Sequence, residues 1–109
     1  MALITLGVNH TTAPVDLREQ VAFDSVNLPN ALAQLLEQCL GVREVVILST
    51  CNRTELFLAV DGEVETGVIA WLGSYHGLFA NEIEPYIYVF DQLRAVQHMM
   101  RVAAGLDSL

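Results

Sequence analysis

The sequence predicts an α+β domain of the ferredoxin-like, split βαβ kind: βαββαβ with additional helices, an antiparallel sheet, and helices on one face. Three observations predict it. The elements read in the order strand, helix pair, strand, strand, helix, strand, helix. Cys51-Asn52-Arg53 is a tight connection between the two middle strands, and Asn tolerates the positive φ such a turn needs. The chain has 109 residues, 53% of hydrophobic type, a length that fits one core rather than two.

Residues 2–9 carry Ile4, Leu6 and Val8 and form the first strand. His10-Thr11-Thr12-Ala13-Pro14 breaks it, with Thr11 or Thr12 as N-cap and Pro14 in the first turn of a helix over about 15–22. Leu28, Leu32, Leu35, Leu36 and Cys39 make one helical stripe, and Gly41 ends it. Glu44 to Ser49 reads as a buried strand. Thr54 to Val60 is a second strand, with Leu56, Leu58 and Val60 on one face and Glu55, Phe57 and Ala59 on the other. Val64, Val68, Ile69, Trp71, Leu72 and Tyr75 face a further helix inward. Tyr86 to Phe90 is the last strand. Asp91 caps a final helix whose core stripe is read as Leu93, Val96, Met100 and Ala103, with Arg94, His98 and Arg101 opposite.

Thirteen acidic residues stand against five Arg and no Lys, a net charge of −8. Such a chain repels phosphates on average, so any RNA contact needs local Arg placement or another domain. Only 17% of residues are charged, which excludes global disorder and leaves apolar surface for something outside the chain. The N-terminus has no basic stretch, and no apolar run is long enough to span a membrane. The expected location is cytoplasmic, with Cys39 and Cys51 as free thiols.

Ser49-Thr50-Cys51-Asn52-Arg53-Thr54-Glu55 is the chemically loaded segment. Cys51 ends a buried strand, so the sheet holds its backbone while its side chain can face a cleft. Arg53 can lower a thiol pKa by charge, and Thr50 and Asn52 can offer donors to a carbonyl or an oxyanion. A nucleophile and a core Cys beside a structural turn are equal readings on these residues alone. Cys39, on the Leu-rich stripe, reads as a small hydrophobe. His98 reads as part of a solvated helix face, His10 as a turn anchor, and His76 as a partner of a helix C-terminal dipole. No ligand pair has metal-type spacing, and no Gly-rich nucleotide loop occurs.

Three segments carry a resemblance. Gly7-Val8-Asn9-His10-Thr11-Thr12-Ala13-Pro14 with Leu17-Arg18-Glu19, then Ser49 to Glu55, then His98 to Leu109 resemble, in that order, segments of glutamyl-tRNA reductase. The resemblance implies the N-terminal catalytic, glutamyl-tRNA-binding domain over 1–109, with the NADPH-binding and dimerisation domains outside this chain. It implies reduction of glutamyl-tRNA to glutamate-1-semialdehyde with NADPH, the first step of tetrapyrrole synthesis from glutamate. Cys51 matches the nucleophile that forms a thioester. His98 matches a His important for activity, which reverses its reading as a solvated residue. Arg53, Thr50, Asn52 and Ser108 match substrate-binding positions. A homodimer through other regions is implied, and glutamate-1-semialdehyde aminotransferase is a candidate partner. The contrasting reading is a ferredoxin-like interaction or regulatory module without chemistry; a redox-sensing or hydrolytic cysteine protein ranks below both.

Overall fold

The computed structural model describes residues 1–107. Strand β1 (Ala2–Asn9) leads to α1 (Val15–Gln20) and α2 (Leu28–Gln38). Strands β2 (Val42–Ser49) and β3 (Arg53–Val60) follow, then α3 (Glu65–Tyr75) and α4 (Ala80–Ile83). A 3₁₀ turn (Glu84–Tyr86), β4 (Tyr88–Asp91) and α5 (Gln92–Ala103) complete the fold. The four strands form one antiparallel sheet in the order β2-β3-β1-β4. The architecture is α+β, as the sequence predicts.

Strand alternation gives the sheet two distinct faces. On one, Ile4, Leu6, Val8, Leu56, Leu58 and Val60 meet Leu17 of α1, Leu35 of α2, and Val68 and Leu72 of α3. These residues are the main core. The connection from α2 to β2 passes through Gly41, whose φ of +92° and close approach to the Asp61 carbonyl leave no room for a side chain.

The expectation of helices on one face is corrected by α5. The opposite face presents Thr5 and Gly7 of β1, Glu55 and Phe57 of β3, and Tyr88 and Phe90 of β4 in register. Helix α5 lies against it, with the His98 ring packed on Tyr88 and Phe90 and with Ala95 and Val102 buried. The reason is topological. Helices α1 to α3 lie on crossovers between strands and must return to the sheet on one side. Helix α5 follows the last strand and is free of that constraint. Gln92, at φ +52°, turns the chain sharply straight out of β4.

The predicted stripe on α5 is corrected with it. Leu93 and Met100 are exposed, and the face turned to the sheet carries Ala95, His98 and Val102. The polar residues of that sheet face, not the largest apolar residues of the helix, set its rotation. Among the apolar residues, Val46, Leu93, Met100 and Leu106 are exposed.

Smaller differences have local causes. Neither Thr11 nor Thr12 caps α1; Pro14 stands at the N-cap position. The side chain of Asn9 accepts instead from the amides of Thr11 (2.9 Å) and Thr12 (3.1 Å), so Asn9 anchors the turn after β1. Strand β4 begins at Tyr88 rather than Tyr86, because Pro85 lies in the 3₁₀ turn before it.

Candidate functional site

The connection between β2 and β3 is built around Thr50. Its hydroxyl accepts from the amides of Asn52 (3.2 Å) and Arg53 (3.3 Å), and its own amide donates to the Arg53 carbonyl (2.8 Å). Thr50 therefore shapes the turn that presents Cys51. The thiol of Cys51 is exposed, while Cys39 is buried, as its place on the α2 stripe predicts. Burial pushes the Cys39 thiol up from its ordinary pKa, which makes it the less reactive of the two.

Cys51 lies at a cleft of about 320 Å³ between the sheet end and α1. Ser49 and Thr50 line the sheet side, and Arg18, Glu19, Ala22 and Phe23 line the other. The far wall is fixed. The Phe23 amide donates to Ser49 Oγ (2.9 Å), which also bonds Thr54 Oγ1 (3.1 Å). The Phe23 ring stacks on Trp71 and contacts Tyr75 and His76. His76 ends α3, but burial lowers its pKa and keeps the ring neutral. Its predicted charge–dipole role is therefore corrected to aromatic packing.

A second cluster occupies the other face of the sheet. Glu55 is completely buried at its centre. Its Oε1 accepts from Arg53 Nη1 (3.1 Å), and its Oε2 accepts from the Tyr88 hydroxyl and meets His98 Nε2. Burial and then the adjoining carboxylate raise the Tyr88 pKa far above its ordinary value, so the phenol stays protonated and donates. Against a carboxylate, Nε2 of His98 is the nitrogen that carries hydrogen, leaving Nδ1 to face elsewhere. Gly7 sits opposite Glu55. A Cβ there would lie 2.3 Å from the Thr54 carbonyl oxygen and 3.1 Å from Glu55 Cγ, so only glycine allows this packing.

The predicted residues thus fall into two groups. Cys51 and Thr50 share the α1 cleft. Arg53 and His98 are joined through Glu55 under α5. Asn52 is half-buried in the turn between the groups. Ser108 lies outside the described residues. Sequence reasoning gave no role to Glu55, Tyr88 or Arg18. A carboxylate directly preceding the apolar run Leu56 to Val60 of a buried strand was the available signal for Glu55.

An α+β domain with an exposed thiol on a rigid strand-end turn, in a cleft and backed by a buried polar cluster, is a cysteine-presenting domain. Comparison with known proteins makes this particular. The family model described as glutamyl-tRNAGlu reductase, N-terminal domain, matches residues 6–109, and the chain belongs to that family. A glutamyl-tRNA reductase of Marinobacter nauticus is 50% identical over 109 residues, covering 100% of this chain and 25% of that protein. One of Stutzerimonas stutzeri is 51% identical, covering 100% and 26%. Among solved structures, glutamyl-tRNA reductase from Methanopyrus kandleri is similar with a TM-score of 0.65 at 27% identity, covering 98% of this chain and 23% of that one. The chain spans about a quarter of the length of these relatives.

Proposed function

We propose that this chain is the thioester-forming domain of an enzyme that reduces glutamyl-tRNA to glutamate-1-semialdehyde, the entry to tetrapyrrole synthesis. The observation that carries the reading is the exposed Cys51 thiol at its cleft, in a domain matched by the family throughout. The strand order β2-β3-β1-β4, with α2 and α3 on the crossovers, supports a split βαβ fold to which α5 is appended.

Cys51, as thiolate, attacks the ester carbonyl of the glutamyl group. The C–O bond to the terminal ribose breaks, the ribose hydroxyl leaves with a proton, and a glutamyl thioester remains on the sulfur. A thioester carbonyl is less resonance-stabilised than an ester carbonyl and accepts hydride more readily. Thr50 holds the turn so that Cys51 stays aimed at the cleft, and the Asn52 side chain offers a donor to the glutamyl group. Arg53 and Glu55 fix the base of that turn, and His98, at the position that matches a residue important for activity, acts on it through Glu55 from the other face of the sheet. Ser108 completes the set of substrate contacts.

NADPH supplies the hydride. An all-antiparallel sheet lacks the parallel strand-to-helix junction that cradles a dinucleotide pyrophosphate, so the residues described here do not fit that cofactor. The hydride donor belongs to a region outside these 109 residues, as does the homodimer contact. The aminotransferase that consumes the aldehyde is the candidate partner, and the compartment is the cytoplasm. No helix of the described residues is long and apolar enough to cross a membrane.

In the full-length enzyme, Cys51→Ser should abolish semialdehyde formation while circular dichroism and the urea midpoint stay unchanged. Mass spectrometry of the parent enzyme with glutamyl-tRNA and no NADPH should show a glutamyl adduct on Cys51. Turnover by Cys51→Ser near the parent rate would overturn the assignment.

A further inference from the structure

We infer that the open half of the second sheet face, beside α5, is the seat of one further helix, supplied by the part of the full-length protein outside these 109 residues. Helix α5 packs chiefly on β1 and β4. Neighbouring strands lie about 4.8 Å apart and a helix with its side chains is about 10 Å wide, so one helix covers about two strands. In the order β2-β3-β1-β4, the strands left over are β3 and β2. Helices α1 to α3 pack on the opposite face, so none of them covers this half.

The uncovered half lacks the polar residues of a solvated sheet face. Its outward side chains are Leu3 of β1, Phe57 and Ala59 of β3, and Val46 and Leu48 of β2, in register with the positions under α5. Val46 is 62% exposed. Leu3, Val46, Phe57 and Ala59 line, with Ala95 and Met99 of α5, a groove of about 170 Å³, and Glu44 at the sheet edge is the one charged residue on it. Helix α5 adds a second wall. Leu93, Val96, Met100 and Ala103 follow the i, i+3, i+7, i+10 spacing of a helix-pairing seam. At about 100° per residue, this seam stands roughly a third of a turn from the line of Ala95, His98 and Val102 that meets the sheet. Met99 lies between the two lines and faces the groove, so the seam borders the open half rather than the β4 edge. Leu93 and Met100 are 68% and 67% exposed. Floor and seam form an apolar corner that fits one helix with a broad apolar face.

The occupant comes from the same polypeptide. The matching family model describes an N-terminal domain, and the relatives carry about three quarters of their length outside it. Helix α5 starts where Asp91 pairs with Ile4 and runs past Glu55 towards the end of the sheet that carries Arg53 and Cys51. There Gly105, at φ +77°, and the bond from the Leu106 amide to the Arg101 carbonyl (2.9 Å) close the helix and turn the chain back. A helix that follows in the antiparallel sense enters the corner from the Cys51 end, as in a helical hairpin. Being tethered, it docks at a high effective concentration that a second copy or a separate protein lacks. The inference does not depend on whether Cys51 is acylated.

The test uses the full-length protein in a Cys51→Ser background, in which Cys39 is the remaining thiol of the described residues and is buried. Val46→Cys probes the floor and Met100→Cys the seam. Each is labelled with a maleimide, and the rate at each site is read by mass spectrometry of its peptide in native buffer and in urea. Both sites should react more slowly in the folded protein by about tenfold or more. Equal rates at both sites in a protein that is folded by circular dichroism overturn the inference. The occupant is then identified with p-benzoylphenylalanine in place of Leu93. Irradiation should give a product of monomer mass, cross-linked to a peptide beyond residue 109. A product of dimer mass, or a cross-link to a separate protein, overturns the assignment to the same polypeptide.

Discussion

Beneath α5, both carboxylate oxygens of Glu55 have partners and no part of the side chain reaches water. Four residues back along the same chain, Cys51 stands exposed at a cleft that Arg18 and Glu19 also line. The closed cluster ties β3, β4 and α5 together through one carboxylate. The open cleft leaves a thiol exposed. Within a few residues of one turn, the chain thus separates a group that fixes geometry from groups that can meet a ligand. Substitutions on the open side should change chemistry and leave stability alone, and those on the closed side should lower stability.

The largest effect tests the open side. Cys51→Ser removes the sulfur and nothing that packs, so turnover of the full-length enzyme should fall by roughly a thousandfold or more. Its unfolding free energy should stay within about 0.5 kcal/mol of the parent, as for most exposed positions. A large loss of stability would mean that Cys51 belongs to the closed side after all.

Glu55→Ala tests the other side. It leaves the buried Arg53 guanidinium without its carboxylate and removes the shared acceptor of Tyr88 and His98. Breaking a buried ion pair from one end costs about 3–5 kcal/mol, readable as a lowered urea midpoint. A cost below about 1 kcal/mol, the value of an exposed pair, would show that water reaches the cluster. Gly7→Ala presses on the same cluster from β1, since its Cβ would meet backbone of Thr54 and Glu55 rather than a side chain that can swing away. Overpacking of this kind costs about 1–3 kcal/mol, and the urea midpoint should fall accordingly.

The asymmetry also explains what could be read from the sequence. The strands and the long helices were legible in period, because Leu6, Leu35, Leu58 and Val68 follow the periods of 2 and 3.6 that a single apolar core imposes, but β2, read as buried, is an edge strand in which only Val42 and Ile47 are buried. The face of α5 was not. Its period was visible but its phase was set by Glu55 and Tyr88, polar residues on other strands, so Leu93 and Met100 were turned inward on paper and outward in the fold. For the same reason His98 read as solvated from the helix period alone, and it was the family resemblance that reversed this reading. Cys51 was legible because its neighbours in the chain define its turn. The role of Glu55 was not, because its partners Tyr88 and His98 come from other elements, and only three-dimensional contacts reveal them.

The smallest effect lies at the wall of the open cleft, where His76 supports Phe23. Burial holds the imidazole neutral in the folded protein, with its pKa below the ordinary value. In the unfolded chain the same group takes up a proton near pH 6.5. Below that pH the unfolded state binds a proton that the folded state refuses, so stability declines as the pH falls through this range. Asp24 and Asp61, held down respectively by hydrogen bonds from Asn27 and by the hydrogen bond from Arg43, titrate at lower pH and leave the window clear. His76→Phe keeps a ring against Phe23 and Tyr75 and removes the titration. The difference in urea midpoint between variant and parent should be flat above about pH 7 and shift in favour of the variant towards about pH 5. A difference that is flat throughout would mean that the folded protein accepts the proton as readily as the unfolded chain, whereas only a shift in favour of the parent would return His76 to the dipole role suggested by its place at the end of α3. It would also mean that water reaches the aromatic wall, weakening the contrast between a firm support and an open cleft.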